Sequence, residues 1–101
     1  RVSPGRAATL ARVAHAVLLA VRTSAERAAS AIAGGVHIPL SQLAQRQSEI
    51  PAGRPVIVFC AGGYRSSIAA SLLRREGFAD VSEIAGGISA WEAAKLPVSR
   101  E

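Results

Sequence analysis

The chain has 101 residues, of which 50% are apolar and 4% aromatic, and its charged side chains leave a net charge of +5. This length fits one domain with one core of mainly aliphatic side chains. The basic residues are scattered, with few aromatic neighbours, which argues against nucleic-acid binding. The single cysteine excludes an internal disulfide and forms no cluster of metal-ligand spacing with the two histidines, so we expect no metal and no cofactor.

The apolar runs, the cysteine content and the first residue indicate the cellular compartment and whether the chain is part of a longer protein. The longest apolar run, about residues 14–21, is much shorter than the ~20 residues that a membrane-spanning helix needs. A lone cysteine suits a reducing compartment, so we expect a cytoplasmic protein without membrane contact. Because the chain begins with Arg1 rather than methionine, we expect residues 1–101 to be a single domain cut from a longer protein.

The first third of the chain predicts a helix, a buried strand and a second helix. Serine before proline at positions 3 and 4 marks a helix start, and apolar residues at helical spacing extend this helix to about residue 14. Residues 17–21 are continuously apolar, which is typical of a strand buried on both faces. Thr23 and Glu26 have the spacing of a capping box, so a short helix should follow to about Ser30.

The rest of the chain continues to alternate strands and helices. Its pattern predicts a strand over 36–38, a short helix over 40–44, a strand over 56–59, a helix over 66–76, a strand over 81–84 and a helix over 88–95. This order predicts a three-layer α/β domain with a mostly parallel sheet. Ligands of such sheets bind beyond the carboxyl ends of the strands. Arg22 with Thr23, the Cys60 loop and residues 85–88 should meet there.

The stretch from Val56 to Ser67 contains the strongest functional signal. A β-branched and aromatic run ends in Cys60, two glycines follow, and helical periodicity begins after Arg65. This order predicts a thiol at the end of a strand and in front of a helix N-terminus, where amide groups and the helix dipole favour a thiolate. We therefore predict that Cys60 is a catalytic nucleophile in a loop that binds an anion.

The loop residues that follow Cys60 are the predicted substrate-binding residues: Ala61, Gly62, Gly63, Tyr64, Arg65 and Ser66. The loop contains no histidine, aspartate or glutamate, so amides, the helix N-terminus and Arg65 should stabilise the thiolate in place of a base. Arg65 is expected to contact an anionic donor or to brace the loop. Ser66 is expected to cap the helix and to act in the site only through its N–H or hydroxyl, and Tyr64 is expected to line the pocket or to pack.

Three further expectations concern the surroundings of this loop. Replacing Gly62 or Gly63 by alanine should damage the site, because a Cβ restricts the backbone and its close approach. Arg22 and Glu26, one helical turn apart, should form a bracing ion pair. We expect the Gly86-Gly87 pair to form a turn, with shaping of the site rim as a further role, and the tryptophan after it to lie in the core.

The segment from Cys60 to Ser66 resembles the active-site loop of rhodanese (sulfurtransferase) domains, which has a cysteine, four residues, an arginine and a serine. Other segments resemble the same family: Val21-Arg22 with Glu26, Gly35 to Leu40, Ala85 to Ile88 with Trp91, and Leu96-Pro97-Val98. Residues 60–73 look most like the rhodanese domains fused to metallo-β-lactamase-fold persulfide dioxygenases.

This resemblance implies a five-stranded parallel sheet in the order 1-5-4-2-3, with helices on both faces and a first strand that is a stub near Arg1 and Val2 or is lost. It implies a sulfurtransferase in which Cys60 takes a sulfane sulfur from thiosulfate, glutathione persulfide or a polysulfide. The sulfur is held as a persulfide and passed to a thiophilic acceptor. The implied partner is a fused metallo-β-lactamase-fold domain in the parent chain.

Two departures from the family pattern leave other functions open. The family's usual aspartate before Val-Arg is Ala20, and its Gly-His-Ile is Ser30-Ala31-Ile32. These departures favour, as one alternative, a non-catalytic docking or regulatory module. The other alternative is a cysteine-dependent phosphatase or arsenate reductase. Those loops place five residues between cysteine and arginine, whereas four separate Cys60 from Arg65.

Overall fold

The computed structural model describes residues 1–29, 31–32 and 34–98. Its helices are α1 (Pro4–Val13), α2 (Ser24–Ala29), α3 (Leu43–Arg46), α4 (Tyr64–Arg75) and α5 (Gly87–Ala93), and its strands are β1 (Val17–Ala20), β2 (Val36–His37), β3 (Val56–Phe59) and β4 (Val81–Glu83). The predicted alternation of strands and helices is confirmed. Ser30, the predicted end of α2 and part of one family departure, lies outside the described residues. Within those residues, no helix has the length and apolarity that crossing a membrane requires.

The four strands pair in parallel, in the order β2-β1-β3-β4. The prediction of a five-stranded sheet in the order 1-5-4-2-3 is therefore wrong in its strand count. Val2, where the first strand is expected as a stub, makes a single parallel bridge to Ile84 beside β4. The bridge does not extend beyond Val2 towards the C-terminus, because Ser3 caps α1 and Pro4 takes its first position.

The sheet separates two apolar cores, because β1 and β3 are buried along their whole length and alternate side chains point to opposite faces. One core includes Leu19, Val58 and Leu73 and lies against α3 and α4. The other includes Phe59 and Trp91 and lies against α1 and α5. Helices cover both faces of the sheet, which confirms the predicted three layers and the core position of Trp91.

Local sequence signals determine where the first two helices begin. The Ser3 hydroxyl accepts a hydrogen bond from the Arg6 amide (3.1 Å), and Pro4 follows as the first helical residue. In front of α2, the Glu26 amide donates to the Thr23 hydroxyl (3.2 Å) and the Thr23 amide donates to the Glu26 carboxylate (2.9 Å). This reciprocal pair is the predicted capping box. It also fixes the Glu26 carboxylate where α4 can reach it.

The helix after the cysteine, α4, begins two residues earlier than predicted, at Tyr64 rather than Ser66. The reason is Gly63, whose φ of +121° makes it the residue at which the chain turns into the helix. At the other end, Gly77 has φ of +99°, and the Phe78 amide donates to the Leu73 carbonyl (3.0 Å). The predicted glycine stop is therefore confirmed.

Candidate active site

Cys60 directly follows β3, at the carboxyl end of the sheet, as its position in the sequence predicts. Its side chain is only 1% exposed, and its sulfur accepts a hydrogen bond from the Gly63 amide (N···S 3.0 Å). The neighbouring strand ends at the same level, since the Val21 amide donates to the Phe59 carbonyl (3.0 Å). The strand ends therefore converge on the Cys60 loop.

Two opposing effects act on the pKa of the Cys60 thiol. Burial is the largest single effect and raises the pKa, because desolvation penalises the charged thiolate. Hydrogen bonds to the sulfur lower it; they come from the Ser66 amide, the Gly63 amide, the Ser66 hydroxyl and the Gly62 amide. Together they outweigh burial, so the pKa of Cys60 lies below its ordinary value, which favours the thiolate.

The two loop glycines have different roles. Gly63 has φ of +121°, a conformation that residues with a Cβ rarely adopt. Gly62 has no such conformation, and a Cβ added there would meet nothing within 4 Å. The expectation that alanine damages the site is therefore supported at Gly63 and corrected at Gly62, where the backbone does not require glycine.

Gly63→Ala is expected to move the midpoint of Cys60 alkylation to higher pH by roughly 1–2 pH units, because one hydrogen bond to a charged group is worth ~1.5–3 kcal/mol. The positive φ strains any residue with a Cβ, and relief of that strain rotates the amide that donates to the sulfur at 3.0 Å. The rate of alkylation by iodoacetamide, measured by intact mass across a pH series, gives the midpoint of thiolate formation.

Gly62→Ala is the matched control for this measurement, because it adds the same methyl group to the same loop without strain or a protein contact. Its alkylation midpoint should stay close to that of the unaltered protein. Equal shifts in the two variants would show that the Gly63 conformation is not what holds the amide on the sulfur.

Ser66 lies in the first turn of α4 and is completely buried, at 0% exposure. The expectation that it caps the helix is wrong, because Gly63 is the cap and no side chain makes a capping hydrogen bond there. The Ser66 hydroxyl instead lies within hydrogen-bond distance of the Gly63 carbonyl (3.1 Å) and of the Glu83 carboxylate (3.1 Å). Its amide and its hydroxyl both lower the pKa of the Cys60 thiol.

Arg65 binds α2, and its guanidinium makes two hydrogen bonds to the Glu26 carboxylate (2.5 and 2.7 Å). The predicted ion pair of Arg22 with Glu26 is longer, at 4.0 Å. The Arg65 hydrogen bond is the main reason why the pKa of Glu26 is lowered to about 2. Of the two expectations for Arg65, the contacts therefore favour bracing of the loop. Its guanidinium also interacts electrostatically with Cys60.

The turn before α5 closes the other side of the Cys60 loop. The Ile88 amide donates to the Cys60 carbonyl (2.9 Å), and Ser89 donates to the Ala61 carbonyl from its amide (3.3 Å) and its hydroxyl (3.0 Å). Gly87 approaches so closely that a Cβ would lie 2.4 Å from the Cys60 carbonyl oxygen. The turn formed by the two glycines is therefore also the rim of the site.

Tyr64 and Ala61 lie at the outer side of the loop. The Tyr64 side chain is 82% exposed, so neither packing in the core nor lining an enclosed pocket describes it. Ala61 is half-buried, and its carbonyl is occupied by Ser89. That these two residues bind substrate stays a prediction.

Glu83 is the residue near the site that sequence reasoning missed. Its Oε1 atom accepts hydrogen bonds from the hydroxyls of Ser66 (3.1 Å) and Ser67 (2.9 Å). The loop itself contains no acidic residue, but β4 pairs with β3 and sets Glu83 opposite Val58, two residues before Cys60. The predicted parallel sheet could have indicated this position, because it brings the carboxyl ends of neighbouring strands, and so Glu83 and the Cys60 loop, together.

Comparison with known proteins agrees with this geometry. The model of the rhodanese-like domain family matches residues 4–94. A sulfurtransferase from Allochromatium vinosum is 36% identical over 89 residues, which cover 88% of this chain and 83% of that protein. The thiosulfate sulfurtransferase GlpE from Actinobacillus succinogenes is 31% identical over 97 residues, covering 96% of this chain and 87% of that protein.

A solved structure shows the same fold over the full domain. The crystal structure of a rhodanese-related protein from Thermoplasma volcanium is similar with a TM-score of 0.90 at 26% identity, and the match covers 99% of this chain and 97% of that one. The chain therefore belongs to the rhodanese-like domain family. The predicted membership of the rhodanese-like family and its α/β fold are confirmed.

Proposed function

We propose that this domain is a rhodanese-type sulfurtransferase that carries a sulfane sulfur on Cys60. The observation that carries the proposal is the buried Cys60 sulfur, which loop amides hold and whose pKa they lower. Relatives named sulfurtransferase and thiosulfate sulfurtransferase, at 36% and 31% identity, support this reaction type.

In the first step, the Cys60 thiolate attacks the outer sulfur of a donor. With thiosulfate, the S–S bond of the donor breaks and its electron pair leaves with sulfite; with glutathione persulfide, the glutathione thiolate leaves. The product is a Cys60 persulfide, whose terminal sulfur carries the negative charge. The amides of Gly62, Gly63 and Ser66, which lower the pKa of the Cys60 thiol, are the donors closest to this charge that we propose to stabilise it.

In the second step, an acceptor thiolate or cyanide attacks the terminal sulfur of the persulfide. The S–S bond to Cys60 breaks, the acceptor leaves with the sulfur, and the Cys60 thiolate is regenerated. In each step one bond to the sulfane sulfur forms as another breaks, so the transfer needs no external oxidant or reductant. The loop needs only to stabilise one negative charge that moves between two sulfur positions.

The position of Arg65 supports sulfur transfer over the phosphatase alternative. A phosphatase loop needs its arginine free to bind a tetrahedral oxyanion with two parallel hydrogen bonds. Here Nη1 and Nη2 of Arg65 each donate a hydrogen bond to the Glu26 carboxylate, at 2.5 and 2.7 Å, which holds this face of the guanidinium on α2. The intact amide cradle around Cys60 likewise supports catalysis over a docking module.

The proposal also includes the sulfur donor, the partner domain and the cellular compartment. The resemblance of residues 60–73 to the rhodanese domains of persulfide dioxygenases supports glutathione persulfide as the donor. It also supports a fused metallo-β-lactamase-fold domain as the partner in the parent chain. A reducing, cytoplasmic compartment fits a carrier whose cysteine must return to the thiolate after each transfer.

The test is the intact mass of the protein after incubation with thiosulfate or with glutathione persulfide, in separate samples. We expect a species heavier by one sulfur atom, about 32 Da, which disappears on addition of cyanide or glutathione. The faster of the two donors identifies the preferred one.

Cys60→Ser is the control, because it keeps the size of the side chain and removes the nucleophile. If the folded protein gains no sulfur, or if Cys60→Ser gains it as well, the sulfurtransferase proposal is wrong. Hydrolysis of an aryl phosphate that is lost in Cys60→Ser would support the phosphatase alternative.

A further inference from the structure

The Cys60 loop contains two adjacent glycines, so its own sequence does not fix the directions of its amides. Gly62 is exposed, and Gly63 has φ of +121°. Glycine samples a wider range of backbone conformations than any other residue. The Gly63 amide nevertheless donates to the Cys60 sulfur at 3.0 Å. Contacts from outside the glycine pair must therefore hold the loop in this conformation.

The carbonyl groups on either side of the glycine pair show where these contacts are made. The Gly63 carbonyl accepts hydrogen bonds from the Ser66 and Ser67 hydroxyls, both at 3.1 Å. The Ala61 carbonyl accepts two hydrogen bonds from Ser89, one from its hydroxyl (3.0 Å) and one from its amide (3.3 Å). Helix α4 therefore anchors one end of the glycine pair, and α5 anchors the other.

The anchor on Ala61 also determines which way the following amide points. In a trans peptide the carbonyl and the next N–H point in opposite directions, and the described residues contain no cis peptide bond. The Ala61 carbonyl points to α5, which lies on the face of the sheet that carries the Trp91 core. Cys60 belongs to the core on the opposite face. The Gly62 N–H is therefore turned towards the face that carries the sulfur.

We propose that Ser89 is a positioning residue whose hydroxyl, bound to the Ala61 carbonyl, holds the amides of the Cys60 loop on the sulfur side. Ser89 lies 28 residues from Ala61 in the sequence and acts on the sulfur through the loop backbone. Its value for stabilising a persulfide rests on the proposed sulfur transfer. The orientation of the amides can be measured without that reaction.

Other charged and titratable groups surround the loop and act on Cys60 independently of Ser89. Arg65 interacts electrostatically with Cys60 and is held by Glu26. The remaining groups lie on or next to the neighbouring elements: Arg22 after β1, His37 on β2, Tyr64 on α4, Glu83 on β4 and Glu92 on α5. The variants below leave all of these unchanged, so a change in the titration of Cys60 reports on the Ser89 hydroxyl.

The experiment is the pH profile of Cys60 alkylation by iodoacetamide in Ser89→Ala, which removes the hydroxyl and keeps the amide. We expect the midpoint to rise by about 0.5 pH unit, since a single neutral hydrogen bond is modest in strength. Hydrogen exchange of the Gly63 amide, followed by NMR, should become roughly two- to tenfold faster, because the loop opens more often. Ser89→Thr retains a hydroxyl and should keep both values close to those of the unaltered protein.

Thr9→Val is the matched control. The Thr9 hydroxyl donates to the Gly5 carbonyl (3.1 Å), which is the same kind of exposed hydrogen bond, but it lies in α1. This variant should change neither the midpoint nor the exchange of the Gly63 amide. The proposal is overturned if Ser89→Ala leaves both unchanged, if Thr9→Val shifts them as much, or if Ser89→Thr shifts them as Ser89→Ala does.

Two further measurements separate the possible failures. Alanine favours helices, so Ser89→Ala should fold, and circular dichroism checks this. A lower Tm with an unchanged midpoint would show that Ser89 is merely structural and would overturn the proposal. Sulfur loading of the unaltered protein is followed by mass in parallel. No loading with the expected midpoint shift contradicts the proposed function alone, whereas normal loading without a shift contradicts the role of Ser89 alone.

Discussion

Gly87→Ala is expected to destabilise this domain by about 3 kcal/mol or more, the range reached by strained backbone and forced overlap. An added Cβ would lie 2.4 Å from the Cys60 carbonyl oxygen and 2.7 Å from that of Ala61. Both are backbone atoms, so no side-chain rotation relieves the overlap. Gly87 also has φ of +61°, which adds backbone strain. Thermal unfolding should show a loss of roughly 12–24 °C in Tm.

The same substitution should change the site as well as the stability. The turn can relieve the overlap only by moving away from the Cys60 loop, which breaks the hydrogen bond from the Ile88 amide to the Cys60 carbonyl (2.9 Å). The alkylation midpoint of Cys60 should therefore rise in Gly87→Ala. Both effects have one cause, the close approach of two loops that are far apart in sequence.

Gly53→Ala separates strain from overlap. Gly53 has φ of +74°, similar to that of Gly87, but an added Cβ there meets nothing within 4 Å. Its free energy of unfolding should fall only by the cost of the left-handed conformation, about 1–2 kcal/mol. Equal losses of Tm in the two variants would mean that backbone strain explains Gly87→Ala and that its contact with the Cys60 loop does not matter.

The sequence predicts those features of the domain that depend on neighbouring residues. The Thr23–Glu26 capping box is confirmed because both hydrogen bonds form within four residues of chain. The burial of β3 follows from its unbroken apolar run, and the position of Cys60 follows from the end of that run. The predicted parallel sheet then places the site at the carboxyl ends of the strands.

The features that the sequence does not predict involve contacts across the fold. Arg65 binds Glu26, which is 39 residues away, whereas the local rule pairs Glu26 with Arg22. Glu83 reaches the first turn of α4 only because β4 lies next to β3. The side-chain pairing at such distances depends on the register of the strands and on the tilt of the helices, which residue patterns do not contain.

The Glu26–Arg65 pair is expected to make the domain lose stability as the pH falls from about 4.5 to about 2. These are the ordinary pKa of Glu26 and its pKa in the folded domain, which the Arg65 hydrogen bond lowers. On acidification the unfolded chain therefore binds the proton first. The stabilising contribution is complete above the higher value and is lost once the pH has passed the lower one.

The size of this contribution is about 1–2 kcal/mol after solvent screening. The full pKa difference corresponds to ~3 kcal/mol, but the side chains of Arg65 and Glu26 are 31% and 29% exposed. Urea unfolding across an acidic pH series measures it. Glu26→Gln should lose this stability already at neutral pH, and its stability should then change less with pH than that of the unaltered protein.

Glu49→Gln is the control, because Glu49 makes a comparable pair with Arg46 (2.8 and 2.9 Å) whose side chains are more exposed. The pKa of Glu49 is also lowered by its arginine, but this pair joins neighbouring turns and braces no loop. Its acid unfolding profile should match that of the unaltered protein, since exposed pairs add little stability. If Glu49→Gln flattens the profile as much as Glu26→Gln does, the link between α2 and the Cys60 loop contributes no more than an ordinary surface pair.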